Sequence, residues 1–182
     1  MVVRPLVEIE PIETGPIELG DYDWLVLTSA TGARELKRRA AGRADRVAAI
    51  GPATAAAFGE VDLVPRVSTQ EGLLAELPRP AGRVLFAGAE SARRLLVHEL
   101  GADFVALYRT KPVRPAAPVE GDLVVLASPS AARSLAHHTL LIPAVTIGPE
   151  TTAAAKAAGL RVAAEARTPD LEGLVSAVGE AG

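Results

Sequence analysis

Asp23-Trp-Leu-Val-Leu-Thr-Ser29 and Asp122-Leu-Val-Val-Leu-Ala-Ser128 decide the fold. Each is a short apolar run, with an aspartate ahead of it and a hydroxyl at its end. Runs of that length, apolar at every position, suit strands buried on both faces of a parallel sheet. Each is followed by a helix-forming word, Ala33-Arg-Glu-Leu36 in the first case and Ala132-Arg-Ser-Leu135 in the second. Two more matched pairs follow in the same order. Ile50-Gly-Pro-Ala-Thr54 answers Ile147-Gly-Pro-Glu-Thr151, and Ser68-Thr-Gln-Glu-Gly-Leu73 answers Thr168-Pro-Asp-Leu-Glu-Gly-Leu174 with one residue inserted. Three matched blocks in one order read as an internal repeat of a single α/β unit.

Working outward, strands are predicted over 24–27, 47–50, 61–64, 84–86 and 104–108, then over 123–126, 144–147 and 161–164. Helices are predicted over 32–41, after Gly51-Pro52, over 68–77 and over 91–100, then over 130–136, after Gly148-Pro149 and after Thr168. Ser68 is the expected cap of its helix, with Glu71 at capping-box spacing, and Thr168 the expected cap of the last one. Strands alternating with helices imply parallel sheets with crossover helices, whose ligands bind at the carboxyl ends of the strands. The first set carries a further unit, 83–108, that the second set does not repeat. Only Val2-Val3-Arg4-Pro5-Leu6 matches the end of such a unit.

Composition narrows the function classes. With 19 basic and 22 acidic residues the net charge is −3, and aromatics are 3%, which argues against a basic or base-stacking nucleic-acid surface. Apolar runs are strand-sized, far from the ~20 residues of a membrane helix. The first residues do not read as a signal peptide, so the cytoplasm is the expected compartment. Cysteine is absent, which excludes disulfides and thiolate metal sites. His98, His137 and His138 are the only histidines, and His137-His138 has no acidic partner at metal-ligand spacing and reads as a helix end at the surface. No phosphate-binding loop, dinucleotide fingerprint or nucleophile elbow is present, so no cofactor and no metal are expected.

The candidate site residues are small and polar. The two Ile-Gly-Pro-x-Thr turns put Gly51 and Gly148 at helix starts, where exposed N–H groups and the helix dipole attract anions and where Thr54 and Thr151 add hydroxyls. The same turns also suit plain capping, with proline at the first helical position. Thr28, Ser29, Ser128 and Ser130 follow strand ends, and Ser68 and Thr168 start helices. Singly each reads as a cap; together they read as the lining of a polar cleft that receives carboxylates. Tyr108, in Tyr108-Arg109-Thr110, offers a proton or a hydrogen bond to an oxyanion, or else is an edge tyrosine. Arg93 and Arg94 either meet an anion or form a solvated helix face. A receiver-type regulatory module would need acidic residues at the strand ends where Thr28, Ser29 and Ser128 stand.

Together with the 106–110 stretch Ala-Leu-Tyr-Arg-Thr, Gly72-Leu73 and Ala127-Ser-Pro-Ser-Ala131, these words resemble the uroporphyrinogen-III synthase family in identity and order over nearly the whole chain. The resemblance implies two similar flavodoxin-like α/β domains. One spans 14–106 and the other 1–5 plus 114–182, with 6–13 and 107–113 as linker strands. It implies a monomer without cofactor, whose partner is the linear tetrapyrrole hydroxymethylbilane, held in the cleft between the domains. The family expels the terminal hydroxyl as water, inverts ring D through a spirocyclic intermediate and closes the macrocycle to uroporphyrinogen III. Tyr108 stands at the position of its leading proton-donor candidate. Family members carry a strand and helix ahead of the region matching Val2 to Leu6, so the outer domain is expected to lack its first strand–helix unit. The alternative is a shortened homologue that binds tetrapyrrole carboxylates without turnover.

Overall fold

A computed structural model describes residues 5–13, 15–113, 120–135 and 142–181. His137 and His138, and the end of the helix expected over 130–136, lie outside them. In chain order the elements are β1 (Val7–Pro11), β2 (Ile17–Glu18), β3 (Trp24–Leu27), α1 (Ala30–Arg39), β4 (Ala40–Ala41), β5 (Arg46–Ala49), α2 (Pro52–Phe58), α3 (Gln70–Glu76) and β6 (Val84–Ala89). There follow α4 (Leu95–Leu100), β7 (Asp103–Pro112), β8 (Val124–Leu126), α5 (Pro129–Leu135), β9 (Ala144–Thr146), α6 (Pro149–Ala157), β10 (Val162–Glu165) and α7 (Leu171–Ala181). This is a mixed α/β fold built on parallel sheets. Two compact units divide it, Ile9–Thr110 and Met1–Glu8 with Lys111–Gly182.

In Ile9–Thr110 the sheet order is β1-β7-β6-β3-β5, and β7, β6, β3 and β5 run parallel. Residue numbers fall along β1 as they rise along β7: Ile12 N donates to Leu107 O, and Val113 N to Leu6 O, each at 2.9 Å, which marks an antiparallel pair. Alternation along the strands divides the core. Leu25, Leu27, Leu85 and Ala87 face Ala33 and Leu36 of α1, while Trp24, Val26, Val84 and Phe86 face Leu73 of α3 and Leu96 of α4. Both faces are covered, which explains why β3 is apolar at every position.

The unit Met1–Glu8 with Lys111–Gly182 holds a parallel sheet of order β10-β9-β8. Leu126 and Ala144 pack with Leu135 of α5 and Ala155 of α6, and Val145 packs with Leu174 and Ala177 of α7.

Several expected boundaries move. The helix expected over 32–41 spans Ala30–Arg39, because Ser29 caps it, and Ala40–Ala41 instead pairs with β2. The helix expected over 91–100 begins at Leu95. The strand expected over 61–64 reduces to one bridge, Leu63 to Ala48. There Asp62 diverts its side chain to the Val47 N–H at 2.8 Å, and Pro65 has no N–H to extend the ladder.

Candidate functional site

Register gathers one set of candidates along the carboxyl edge of the five-stranded sheet. Leu27 lies beside Ala49 and Ala87, and Ala89 beside Tyr108. Thr28, Ser29, Gly88 and Tyr108 therefore share one edge. Ser29 caps α1: its extended backbone turns the chain, and its Oγ accepts from Gly32 N at 3.0 Å. The same Oγ is 2.9 Å from Tyr108 Oη, a hydrogen bond between residues 79 positions apart.

A bulge makes that bond possible. Gly88 pairs with Ala106 but Ala89 pairs with Tyr108, so β7 gains one residue over β6. Consecutive Leu107 and Tyr108 consequently join the same core cluster, which strict alternation forbids. Two glycines sit near this contact. A Cβ on Gly32 would stand 3.0 Å from Ser29 Oγ, and one on Gly88 would stand 3.1 Å from Phe86 Cε2 and 3.4 Å from Thr28 Oγ1. Tyr108 is 7% exposed. Burial pushes its phenol above the usual value, with the Ser29 hydrogen bond pulling the other way. A phenol is protonated at neutral pH even at its ordinary value, as a hydrogen-bond or proton donor must be.

Gly51 and Ser68 also meet: a Cβ on buried Gly51 would lie 2.9 Å from Ser68 Oγ. Ser68 is not the cap of α3, however. Thr69 Oγ1 accepts from Gly72 N at 3.0 Å, one residue later than the sequence reading placed it. Glu71 does not close a capping box either. It forms a bidentate pair with Arg93, at 2.9 and 3.0 Å, which holds its carboxyl below the usual range. Arg94 lies over the Phe104 ring at 3.4 Å. Gln70, missed by sequence reading, is 5% exposed and donates to Arg93 O at 3.1 Å, fastening the start of α3 to the loop before α4. Its signal was weak, a glutamine beside two hydroxyl residues.

In the unit containing residues 111–182, Ser128 Oγ accepts from Ala131 N and lies 3.2 Å from Ser130 Oγ, just beyond β8. Gly148, buried beyond β9, starts α6 as Gly51 starts α2. Gly148 O accepts from Thr151 N and Thr152 N, as Gly51 O accepts from Thr54 N and Ala55 N. The hydroxyl residues of these turns are buried. Thr54 is 4% and Thr151 2% exposed, so both belong to the packed helix side rather than to an open lining. Thr168 is likewise not the cap of α7. Asp170 Oδ1 accepts from Gly173 N at 2.7 Å, and Thr168 Oγ1 donates to that same carboxylate at 3.0 Å. An aspartate outcompetes a threonine here because its charged oxygen binds the helix N–H more strongly. Sequence reasoning also missed the chain Thr146–Thr152–Glu165, which joins β9, α6 and β10 through hydroxyls.

Among the described residues, no three His, Asp or Glu side chains converge as metal ligands would, and no helix is long and apolar enough to cross a membrane. What the polar edges offer is hydroxyls, helix-start N–H groups and a protonated phenol, a donor set for anionic and leaving oxygens.

Among curated proteins none matches the chain. Among solved structures the fold is similar to a mutant uroporphyrinogen III synthase from the extremely thermophilic bacterium Thermus thermophilus, at 17% identity over 99% of this chain and 88% of that one, TM-score 0.64. A wild-type structure of the Thermus thermophilus protein, in another crystal form, matches at 18% identity over 95% and 86% of the two chains, TM-score 0.48. The family described as Uroporphyrinogen-III synthase HemD matches residues 1–176. That match runs through both units and contains every candidate residue named above, and with it the chain belongs to the uroporphyrinogen-III synthase family.

Proposed function

We propose that the chain is a uroporphyrinogen-III synthase that cyclises hydroxymethylbilane to uroporphyrinogen III, with inversion of ring D and loss of water. Family membership implies a lyase-type activity and a tetrapyrrole substrate. The observation that carries the finer reading is Tyr108, a buried phenol bonded to Ser29 at the carboxyl edge of a parallel sheet. The terminal C–O bond breaks as its oxygen takes up a proton and leaves as water. A phenol directed at that oxygen supplies the proton or stabilises the charge that develops on it. Thr28, Gly51 and Ser68, and in the other unit Ser128, Ser130, Gly148 and Thr168, are the proposed donors to substrate carboxylates. Thr54 and Thr151 support them from the buried side.

We read each unit as flavodoxin-like, 14–106 and 1–5 plus 114–182, with 6–13 and 107–113 as linker strands. Support comes from the chain path, which passes from one unit to the other inside β1 and inside β7. The reading of the units as duplicates is supported by repeated local bonds: Ile50 N to Leu27 O and Ile147 N to Leu126 O, at 2.9 and 3.0 Å.

The alternative, a homologue that holds tetrapyrrole carboxylates without turnover, draws on the 7% exposure of Tyr108, which limits its reach to a ligand. Incubation with freshly made hydroxymethylbilane, followed by separation of the isomers, divides the two. A synthase yields the type III isomer; formation of the type I isomer alone refutes turnover. Tyr108→Phe, which keeps the ring and its packing, is expected to lower turnover by about 100-fold. Undiminished turnover would remove the phenol from the mechanism.

A further inference from the structure

We propose that Ser29 acts on the reaction through Tyr108 rather than on the substrate, as a positioning residue that holds the phenol and leaves its proton free for the leaving oxygen. The proposal rests on the synthase reading above and departs from the expectation that Ser29 contacts a carboxylate. Ser29 Oγ accepts a hydrogen bond from Gly32 N at 3.0 Å. A hydroxyl has one proton, and with an acceptor position filled by the helix N–H, that proton remains to be given. Tyr108 Oη lies 2.9 Å away. Of the two arrangements of this bond, donation by Ser29 leaves the phenol proton unspent, whereas donation by Tyr108 consumes it. The first is favoured by the position of Ser29 at the start of ten-residue α1, because accepting from an N–H at the positive end of a helix makes a hydroxyl a better donor.

The surroundings enforce this geometry. Tyr108 shares its cluster with buried Leu25 and Leu27 of β3, Ala33 and Leu36 of α1 and Leu85 and Ala87 of β6, and among the described residues Ser29 is the side chain recorded in a hydrogen bond with the phenol. Arg109, the next residue, turns instead to Glu10 and Glu90, at 3.7 and 3.6 Å. A side chain at Gly32 would press on Ser29 Oγ, and without the bulge in β7 the Tyr108 ring would leave the cluster that faces α1.

The chain has two tyrosines, so a Tyr22→Phe background leaves Tyr108 as the one phenol, and its ionisation is read directly from phenolate absorbance. In that background Ser29→Ala is expected to raise the Tyr108 midpoint by about one pH unit, and Ser29→Thr to restore it. An unmoved midpoint overturns the proposal. With hydroxymethylbilane, Ser29→Ala is expected to lower kcat about tenfold at unchanged KM. A raised KM at unchanged kcat would make Ser29 a substrate contact and also overturns it. Ser29→Asp keeps the helix cap but has no proton to give, so it is expected to be as slow as Ser29→Ala; full activity in it would reduce Ser29 to a cap. Should Tyr108→Phe retain turnover, the phenol's role and the catalytic half of this proposal fail together, while the titration still decides whether Ser29 orients the phenol.

Discussion

Gly72→Ala tests how the loop that carries Ser68 is held. Gly72 is the third residue of α3, and a Cβ there would lie 2.0 Å from Val67 O. A carbon–oxygen contact ordinarily opens to about 3.3 Å, so the carbonyl must retreat by roughly 1.3 Å. That carbonyl accepts from Thr69 N at 2.7 Å, and Thr69 in turn caps α3 through Gly72 N. Losing the turn bond costs about 1 kcal/mol. Losing the cap costs about 1 kcal/mol more. Residual crowding adds about 1–3 kcal/mol. Against these stands the helix propensity of alanine over glycine, at most about 1 kcal/mol. The clash wins, with a net loss of roughly 2–4 kcal/mol. Urea unfolding followed by tryptophan fluorescence measures it. Trp24 is the single tryptophan, is 5% exposed and shares a core cluster with Leu73 beside the mutation. The midpoint should fall at unchanged slope. Gly20→Ala is the control, since nothing lies within 4 Å of a Cβ there, and it should stay within about 0.5 kcal/mol of the parent. A Gly72→Ala protein as stable as the parent refutes the argument, because propensity would then have outweighed the clash.

Two further outcomes follow from the same core. Phe86 is fully buried and packs edge-on to Phe104 with centroids 5.1 Å apart, so Phe86→Ala should cost about 4 kcal/mol in the same unfolding assay; a loss under about 1.5 kcal/mol would mean that the cavity collapses. Burial raises the Tyr108 pKa above its unfolded value near 10, so its contribution to stability is fully present below about pH 10 and is lost as pH rises through the folded value. Tyr22, also raised, acts with the same sign. Stability should therefore fall above about pH 10, and less steeply in Tyr108→Phe; equal slopes in parent and variant would contradict the burial argument.

Much of the fold was legible because it is written locally. A run such as Trp24 to Leu27 is apolar at every position, and that pattern is the signature of a strand covered on both faces. The Gly-Pro pairs at 51–52 and 148–149 mark helix starts, since proline suits the first turn of a helix and not its interior. Caps were legible in kind but not in register. Ser68 and Thr69 are adjacent hydroxyl residues, and Thr168 stands two residues before Asp170. Which one caps depends on how the preceding carbonyl folds back over Gly72 or Gly173, whose added Cβ would lie 2.0 and 2.2 Å from the carbonyls of Val67 and Thr168. The strand expected around Leu63 failed for a similar reason, because its neighbour Asp62 spends its carboxylate on the ladder.

By itself the sequence determined the alternation of strands and helices, the order of the repeated words and the family they resemble, because periodicity and turn chemistry act within a few residues. Tertiary structure alone decided that Ser29 and Tyr108 meet. Their bond spans 79 positions and depends on the parallel register of β3, β6 and β7 and on a one-residue bulge. No local pattern encodes a bulge, since it arises where two strands of different length must stay paired while Leu107 and Tyr108 both seek the same core.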